Sequence, residues 1–416
     1  MLILYRIIIN IIFLLSPIIL TFRLIKKKED LKRFKEKFCL FTKKRGKGNL
    51  IWFHGASVGE LLSIIPLLEK FEKNKNIKNI LVTSNTLSSS TIIQRYKFKK
   101  VIHQFFPVDT NFLTNKFLGY WKPSSVYFID SEIWPNMFFN LKRKNISINL
   151  INGRITKKTF SRWILFPNFS RNIFESFDLC LPSSKKSKEY LTKLGVKNTL
   201  YIGNLKFAQS ESDKNRIDAK TKKFFRSKKI WCASSTHNNE EKICGLVHKR
   251  LKKSYNNLVT IIIPRHIERV KVIEDQLNDL NLVTHLHESN KKIQPHTDIY
   301  IVNSYGKTKS FYNFCKNVFL GGSLIKHGGQ NPLEAIRYGC NVIHGPYISN
   351  FAEIYKFLKI NKVSIKILSE KTMANALNTL FKKKTNSKTL HKKIKSKGQK
   401  ILNDTYKEIN LKLNDF

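Results

Sequence analysis

The chain begins apolar and then breaks into short apolar runs separated by amphipathic stretches. Residues 2–25 form the opening stretch, interrupted between Ile7 and Leu20 by Asn10, Ser16 and Pro17. Beyond residue 50, near-continuous apolar runs recur at 50–56, 79–84, 101–109, 125–134 and 146–153, and a run at 177–184 closes a first half. A second set follows at 228–236, 258–266, 297–304, 316–323 and 340–346. Runs of this kind fit parallel strands covered on both faces. Between them, 60–71 has apolar residues at 61, 62, 64, 65, 67, 68 and 71, a helical stripe. The alternation predicts two doubly wound α/β domains. Apolar periodicity stops at 203–216, which marks the expected linker, and the Lys-rich tail 382–416 reads as helical.

The opening stretch reaches the roughly 20 residues needed to span a bilayer only if Arg6 and Arg23 sit at the interfaces. The basic segment 26–38 follows at once, so the positive-inside rule puts everything downstream in the cytoplasm. No small-residue cleavage site follows the apolar run. A membrane anchor is therefore expected, with a buried helix of a soluble protein as the alternative.

Charge sharpens this picture only partly. The 416 residues hold 76 Lys and Arg against 29 Asp and Glu, a net charge of +47, so polyanionic partners are favoured. Lys, Ile, Asn and Phe are abundant throughout, however, as an A+T-rich genome supplies, and no nucleic-acid-binding signature accompanies the charge. The six cysteines show no Cys-x-x-Cys pair, which suits reduced, buried thiols. Neither Gly-x-Gly-x-x-Gly after the first strand nor a Walker A loop is present, so NAD and ATP-hydrolysis readings lose their main support.

Four places carry candidate chemistry. His54-Gly55-Ala56-Ser57-Val58-Gly59-Glu60 runs from a strand end into a helix expected to begin at Glu60, where the carboxylate could be a general base or only a first-turn helix stabiliser. Asp130-Ser131-Glu132 brackets a serine with acids at another strand exit, suited to orienting sugar hydroxyls or to helix capping. Pro264-Arg265-His266 offers cationic groups to a phosphate. The segment 321–339 is glycine-rich and predicts a helix with Asn331 at the N-cap, Pro332 at the first helical position, Glu334 three after the cap and Gly339 past its end. Lys206, at the expected junction, could reach a phosphate.

Together the blocks HGASVGE, DSEIWPN, INGRIT, GNLKF, ASSTH, PRHIER and GGSLIKHGGQNPLEA, in this order, resemble the 3-deoxy-D-manno-octulosonic acid (Kdo) transferases of lipopolysaccharide synthesis. The resemblance implies a GT-B fold: two Rossmann-like domains facing across a cleft, with an N-terminal membrane-anchor helix. It implies an anchor at 1–25, an acceptor domain at 26–205, a CMP-sugar domain at 206–385 and a C-terminal helix at 386–416 returning to the first domain. It implies an inverting transfer of Kdo from CMP-Kdo to the 6′-hydroxyl of the tetra-acylated lipid A precursor. The setting would be the cytoplasmic side of the inner membrane, with anionic lipid as a partner and neither metal nor nucleic acid. Residue by residue, Glu60 matches the general base, and Asp130 and Lys206 match positions that stabilise the transition state. Pro264, Arg265, His266, Gly306, Lys307, Asn331, Pro332, Leu333 and Glu334 match the CMP-binding elements. Three positions depart from the family pattern: Glu is usual where Asp130 stands, Glu where Lys307 stands, and Asp where Ala208 stands. Another GT-B transferase, using a different nucleotide sugar on a lipid-linked acceptor, is the alternative.

Overall fold

A computed structural model describes residues 1–209, 217–289, 292–382 and 387–414, the side chains of 387–391 and 414 excepted. Part of the expected linker, 210–216, lies outside them. The chain forms two compact units, 1–210 with 396–416, and 211–395.

The first unit holds six parallel strands: β1 (Leu50–His54), β2 (Asn79–Ser84), β3 (Val101–Phe105), β4 (Ser125–Ile129), β5 (Ser147–Gly153) and β6 (Leu179–Pro182). Their order is β3-β2-β1-β4-β5-β6. The strands are buried on both faces, which is why they read as unbroken apolar runs. Trp52, Phe117, Trp121, Phe128 and Phe138 fill one side of the sheet. The direction of winding reverses between β1 and β4, the switch point at which open α/β sheets bind ligands.

The end of the chain completes this unit. From residue 396 the helix Ser387–Asn414 belongs to it. Tyr406 packs on Phe71, ring centres 4.8 Å apart, and Asn74 Nδ2 donates to Tyr406 Oη at 3.1 Å and to Asn410 Oδ1 at 3.0 Å. At Gly398 a Cβ would stand 2.3 Å from the carbonyl oxygen of Phe207, so only glycine lets the helix come this close.

The second unit carries β7 (Lys229–Thr236), β8 (Leu258–Pro264), β9 (Thr284–Leu286), β10 (Ile299–Ile301), β11 (Asn317–Leu320), β12 (Asn341–His344) and β13 (Ser364–Lys366). The strands are parallel, in the order β13-β12-β11-β7-β8-β10-β9. Its switch point lies at β7, between β8 and β11. Strands β9 and β13 were not expected from the sequence. Each is three residues long and only partly buried, too short for a pattern to show.

The N-terminal helix spans Leu2–Ile25 and is long and apolar enough to cross a membrane. Pro17 cannot donate to the carbonyl of Phe13 four residues back. The Ser16 hydroxyl donates to that oxygen instead, at 2.6 Å. All six cysteines are buried and free.

Candidate active site

In the first unit the switch point gathers acids and one lysine. The helix after β1 spans Val58–Lys73, starting two residues before the expected Glu60. Ser57 is its N-cap, and Ser57 and Glu60 close a capping box. The Glu60 carboxylate accepts from the Ala56 N–H at 2.7 Å, the Ser57 N–H at 3.3 Å and the Ser57 hydroxyl at 2.7 Å. Burial, then the negative charges of Glu132 and Asp130, raise its pKa from 4.5 to about 7, against the lowering effect of Ser57. Capping and base chemistry thus coexist in one side chain: the cap fixes its position and the neighbouring acids set its proton affinity.

Asp130 follows β4 with a left-handed backbone, φ 57°. Its backbone is held on β5, its N–H donating to Ile151 at 3.1 Å and its carbonyl accepting from Arg154 N–H at 2.8 Å. The carboxylate is buried, paired with Lys206 Nζ at 2.9 Å, and accepts from Asn152 Nδ2. Asn152 Oδ1 in turn accepts from Leu205 N–H at 2.9 Å, so one amide fixes both the acid and the turn that carries its lysine. That turn, Leu205–Ala208, lies in the first unit, not in the second, where the expected boundary of 206 would put it. The ion pair with Asp130 is the physical reason.

Neither Asp130 nor Ser131 caps the next helix, Pro135–Arg143, whose N-cap is Trp134 without a side-chain bond. The Asp109 carboxylate does that work from another loop, accepting from Asn136 N–H at 3.0 Å and Met137 N–H at 2.9 Å. Glu132 accepts from the Trp134 indole at 3.0 Å and lies 3.3 Å from the buried His54 ring. Burial keeps the pKa of His54 low.

In the second unit the loops after β7, β8 and β11 meet. Pro264 ends β8, and Arg265 and His266 emerge exposed beyond it. Arg265 N–H donates to the Thr236 carbonyl at 3.0 Å. The His237 ring lies 4.3 Å from that of His327 and 6.0 Å from that of His266. Burial, then the charges of His327, His266, Arg265 and Arg269, hold the pKa of His237 near 4. Beneath this cluster the buried Glu240 carboxylate accepts the N–H groups of Gly322 at 2.7 Å, Leu324 at 3.0 Å, His237 at 3.0 Å and Ser323 at 3.2 Å. A Cβ at Gly321 would stand 2.4 Å from the Ser235 carbonyl oxygen and 2.8 Å from Glu240.

The helix expected to begin at Pro332 spans Leu333–Arg337, with Pro332 itself at the N-cap. Asn331 still serves the helix start, its Oδ1 accepting from Leu333 N–H at 3.1 Å. Leu333 is buried, Glu334 lies in the first turn, and Gly339 has φ 77° just past the end, as expected. Gly306 has φ 81°, and Lys307 precedes the helix Thr308–Tyr312. Tyr305 joins this segment to the β8 loop through Glu268, at 3.2 Å.

Sequence reasoning assigned no role to Asn152, His237, His327 or Glu240. The first three lie inside the INGRIT, ASSTH and GGSLIKH blocks, which were the available signal. Glu240 has little local signal, because three of its four partners lie 82 to 84 positions away on β11's loop.

Two parallel-sheet α/β units, each with charged side chains at the carboxyl ends of the strands flanking its switch point, define a fold of the GT-B type. The profile of a family described as 3-deoxy-D-manno-octulosonic-acid transferase matches residues 32–209. A 3-deoxy-D-manno-octulosonic acid transferase of Rickettsia bellii is 34% identical over 407 residues, covering 95% of this chain and 96% of the relative. One from Haemophilus influenzae is 29% identical over 357 residues, covering 85% and 83%. The chain belongs to the Kdo transferase family and is a glycosyltransferase. Among solved structures, a putative UDP-N-acetylglucosamine 2-epimerase from Listeria monocytogenes shares the fold. Its TM-score is 0.59 at 11% identity, over 89% of this chain and 98% of the other.

Proposed function

We propose that the enzyme transfers Kdo from CMP-Kdo to the 6′-hydroxyl of the tetra-acylated lipid A precursor, with inversion at C2 of the sugar. The observation that supports this most is Glu60, a carboxylate at the switch point with a pKa raised to about 7. A carboxylate with a pKa near 7 is basic enough to accept a proton and about half ionised at neutral pH. Glu60 accepts the hydroxyl proton, the acceptor oxygen forms its bond to C2, and the bond from C2 to the CMP phosphate breaks with its electron pair leaving on CMP. Asp130 and Lys206 act at the same switch point, Lys206 as the cation that offsets developing negative charge.

The second unit receives the nucleotide. Arg265 and His266, beside His237 and His327, supply positive and hydrogen-bonding groups suited to a phosphate without a metal. The 306–307 and 331–334 segments complete that site. Lys307 stands where the family has Glu, so its side chain contributes charge of the opposite sign and its backbone carries any shared contact. The enzyme works at the cytoplasmic face of the inner membrane, where its acceptor resides.

Incubating purified protein with CMP-Kdo and the tetra-acylated precursor, with excess chelator present, tests the reading by product mass. A product heavier by one or more Kdo residues, with turnover inhibited by CMP and not by UDP, is expected. No transfer, transfer from a UDP-sugar instead, or loss of activity restored by a divalent cation would each overturn part of it.

A further inference from the structure

We propose that the apolar N-terminal helix lies in the plane of an anionic leaflet, clasped along one side by the first unit, and does not cross the bilayer. The helix is 24 residues long, about 36 Å at 1.5 Å per residue, so a spanning orientation would carry one end across the roughly 30 Å core. Its contacts exclude that. Tyr5 Oη donates to Asp109 at 2.7 Å and Arg6 Nε donates to Asn136 at 2.9 Å, next to the helix start that Asp109 also caps. Midway, Phe13 meets Phe38 with ring centres 5.9 Å apart. Near the far end Arg23 pairs with Glu29 at 2.6 Å. Tyr5, Ile9, Phe13, Ser16, Leu20 and Arg23 form the covered stripe, spaced three and four apart along the whole length. A helix held by one globular unit near both ends has no free end to send across a membrane.

The opposite stripe is bare. Ile3, Leu14 and Ile25, each eleven residues and about three turns apart, are 75%, 75% and 74% exposed. Further apolar side chains stand beside the clasps: Leu31 shortly after Glu29, 76% exposed, and Phe112 shortly after Asp109, 71% exposed. The occupant of this face is lipid, and charge selects an anionic one. Lys26, Lys27, Lys28, Lys32 and Lys35 are exposed directly after the helix. Arg33 and Lys37 of the same segment are engaged in ion pairs with Glu36 and Glu29.

Nitroxide labels on the full-length protein, bound to vesicles of phosphatidylethanolamine and phosphatidylglycerol, test the orientation. Single cysteines replace Ile3, Leu14 or Ile25; these positions are exposed, and the six native thiols are buried. Depth measured by oxygen against water-soluble relaxation agents should be shallow and equal at all three positions, and the signals should weaken on vesicles lacking the anionic lipid. A deep label at position 14 between two shallow ones would overturn the proposal in favour of spanning. Three labels left in water would overturn it in favour of no insertion. The readout needs no turnover, so its outcome is independent of the assigned reaction.

Discussion

The pH dependence of Glu60 is the sharpest consequence of the first unit's geometry. Its pKa stands near 7, raised from 4.5 by burial first and by the charge of Glu132 next. If it is the base, kcat/KM should climb tenfold per pH unit below 7 and level off above 8, since only the ionised form accepts a proton. At pH 6 roughly one molecule in ten is competent. Glu132→Gln removes a neighbouring negative charge while its amide oxygen still accepts from the Trp134 indole. The inflection should therefore move to lower pH, by less than the whole rise from 4.5, because burial remains. Stability should move in step. A carboxyl whose folded pKa lies above its unfolded one adds stability below 4.5 that is lost as pH rises through about 7. At about 1.4 kcal/mol per pKa unit the loss is at most about 3.5 kcal/mol, reduced by water at the open side of the carboxylate. Glu60→Gln should lack that loss, gaining on wild type above pH 7 while turnover falls about 10²-fold or more. Initial rates and denaturant midpoints, both taken from pH 5 to 9, measure these effects. A flat rate profile across that range, or an inflection unmoved in Glu132→Gln, would refute the reasoning.

The second-unit histidines give a complementary test. An anion beside His237, whose pKa burial and neighbouring positive charges hold near 4, favours its protonated form, so CMP binding should take up protons and tighten as pH falls from 7 towards 5. Calorimetry in buffers of different ionisation enthalpy reads the uptake. Arg265→Ala should weaken CMP about 10- to 100-fold if it meets the phosphate, measured by titration against wild type. Lys206→Met leaves the Asp130 charge buried without its cation and should cost about 3 kcal/mol of stability besides lowering kcat, both visible by denaturant titration and initial rates. Gly321→Ala forces a Cβ against the Ser235 carbonyl and Glu240, so nucleotide affinity should collapse while the first unit's helical signal persists.

The long, doubly covered strands were legible because burial on both faces writes an uninterrupted apolar run, as in β1, β4, β8 and β11. Strands β9 and β13 were not, since three residues carry no period. At the site, residue type was readable and conformation was not. The left-handed turn at Asp130 belongs to a residue with a side chain, where no glycine advertises it. The shift of the 333–337 helix by one residue follows from Asn331 serving Leu333 N–H, with Pro332 taking the N-cap. Glu240 shows the limit most plainly: an acid in the first turn of a helix looks ordinary until topology brings three loop N–H groups from β11 onto it.

The tail that seats Tyr406 and Asn410 on Asn74 joins positions 332 and 336 residues apart. During synthesis the first unit must wait, nearly whole but unclosed, while all of the second is made. At roughly 5–20 residues per second that interval is on the order of tens of seconds. Through it the Phe71 face and the Leu205–Ala208 turn carrying Lys206 stand uncovered. A chain released early, before residue 396, would carry every candidate catalytic side chain and still lack the piece that holds one of them down. Synthesis through Asn410 is thereby built into the condition for a finished first unit.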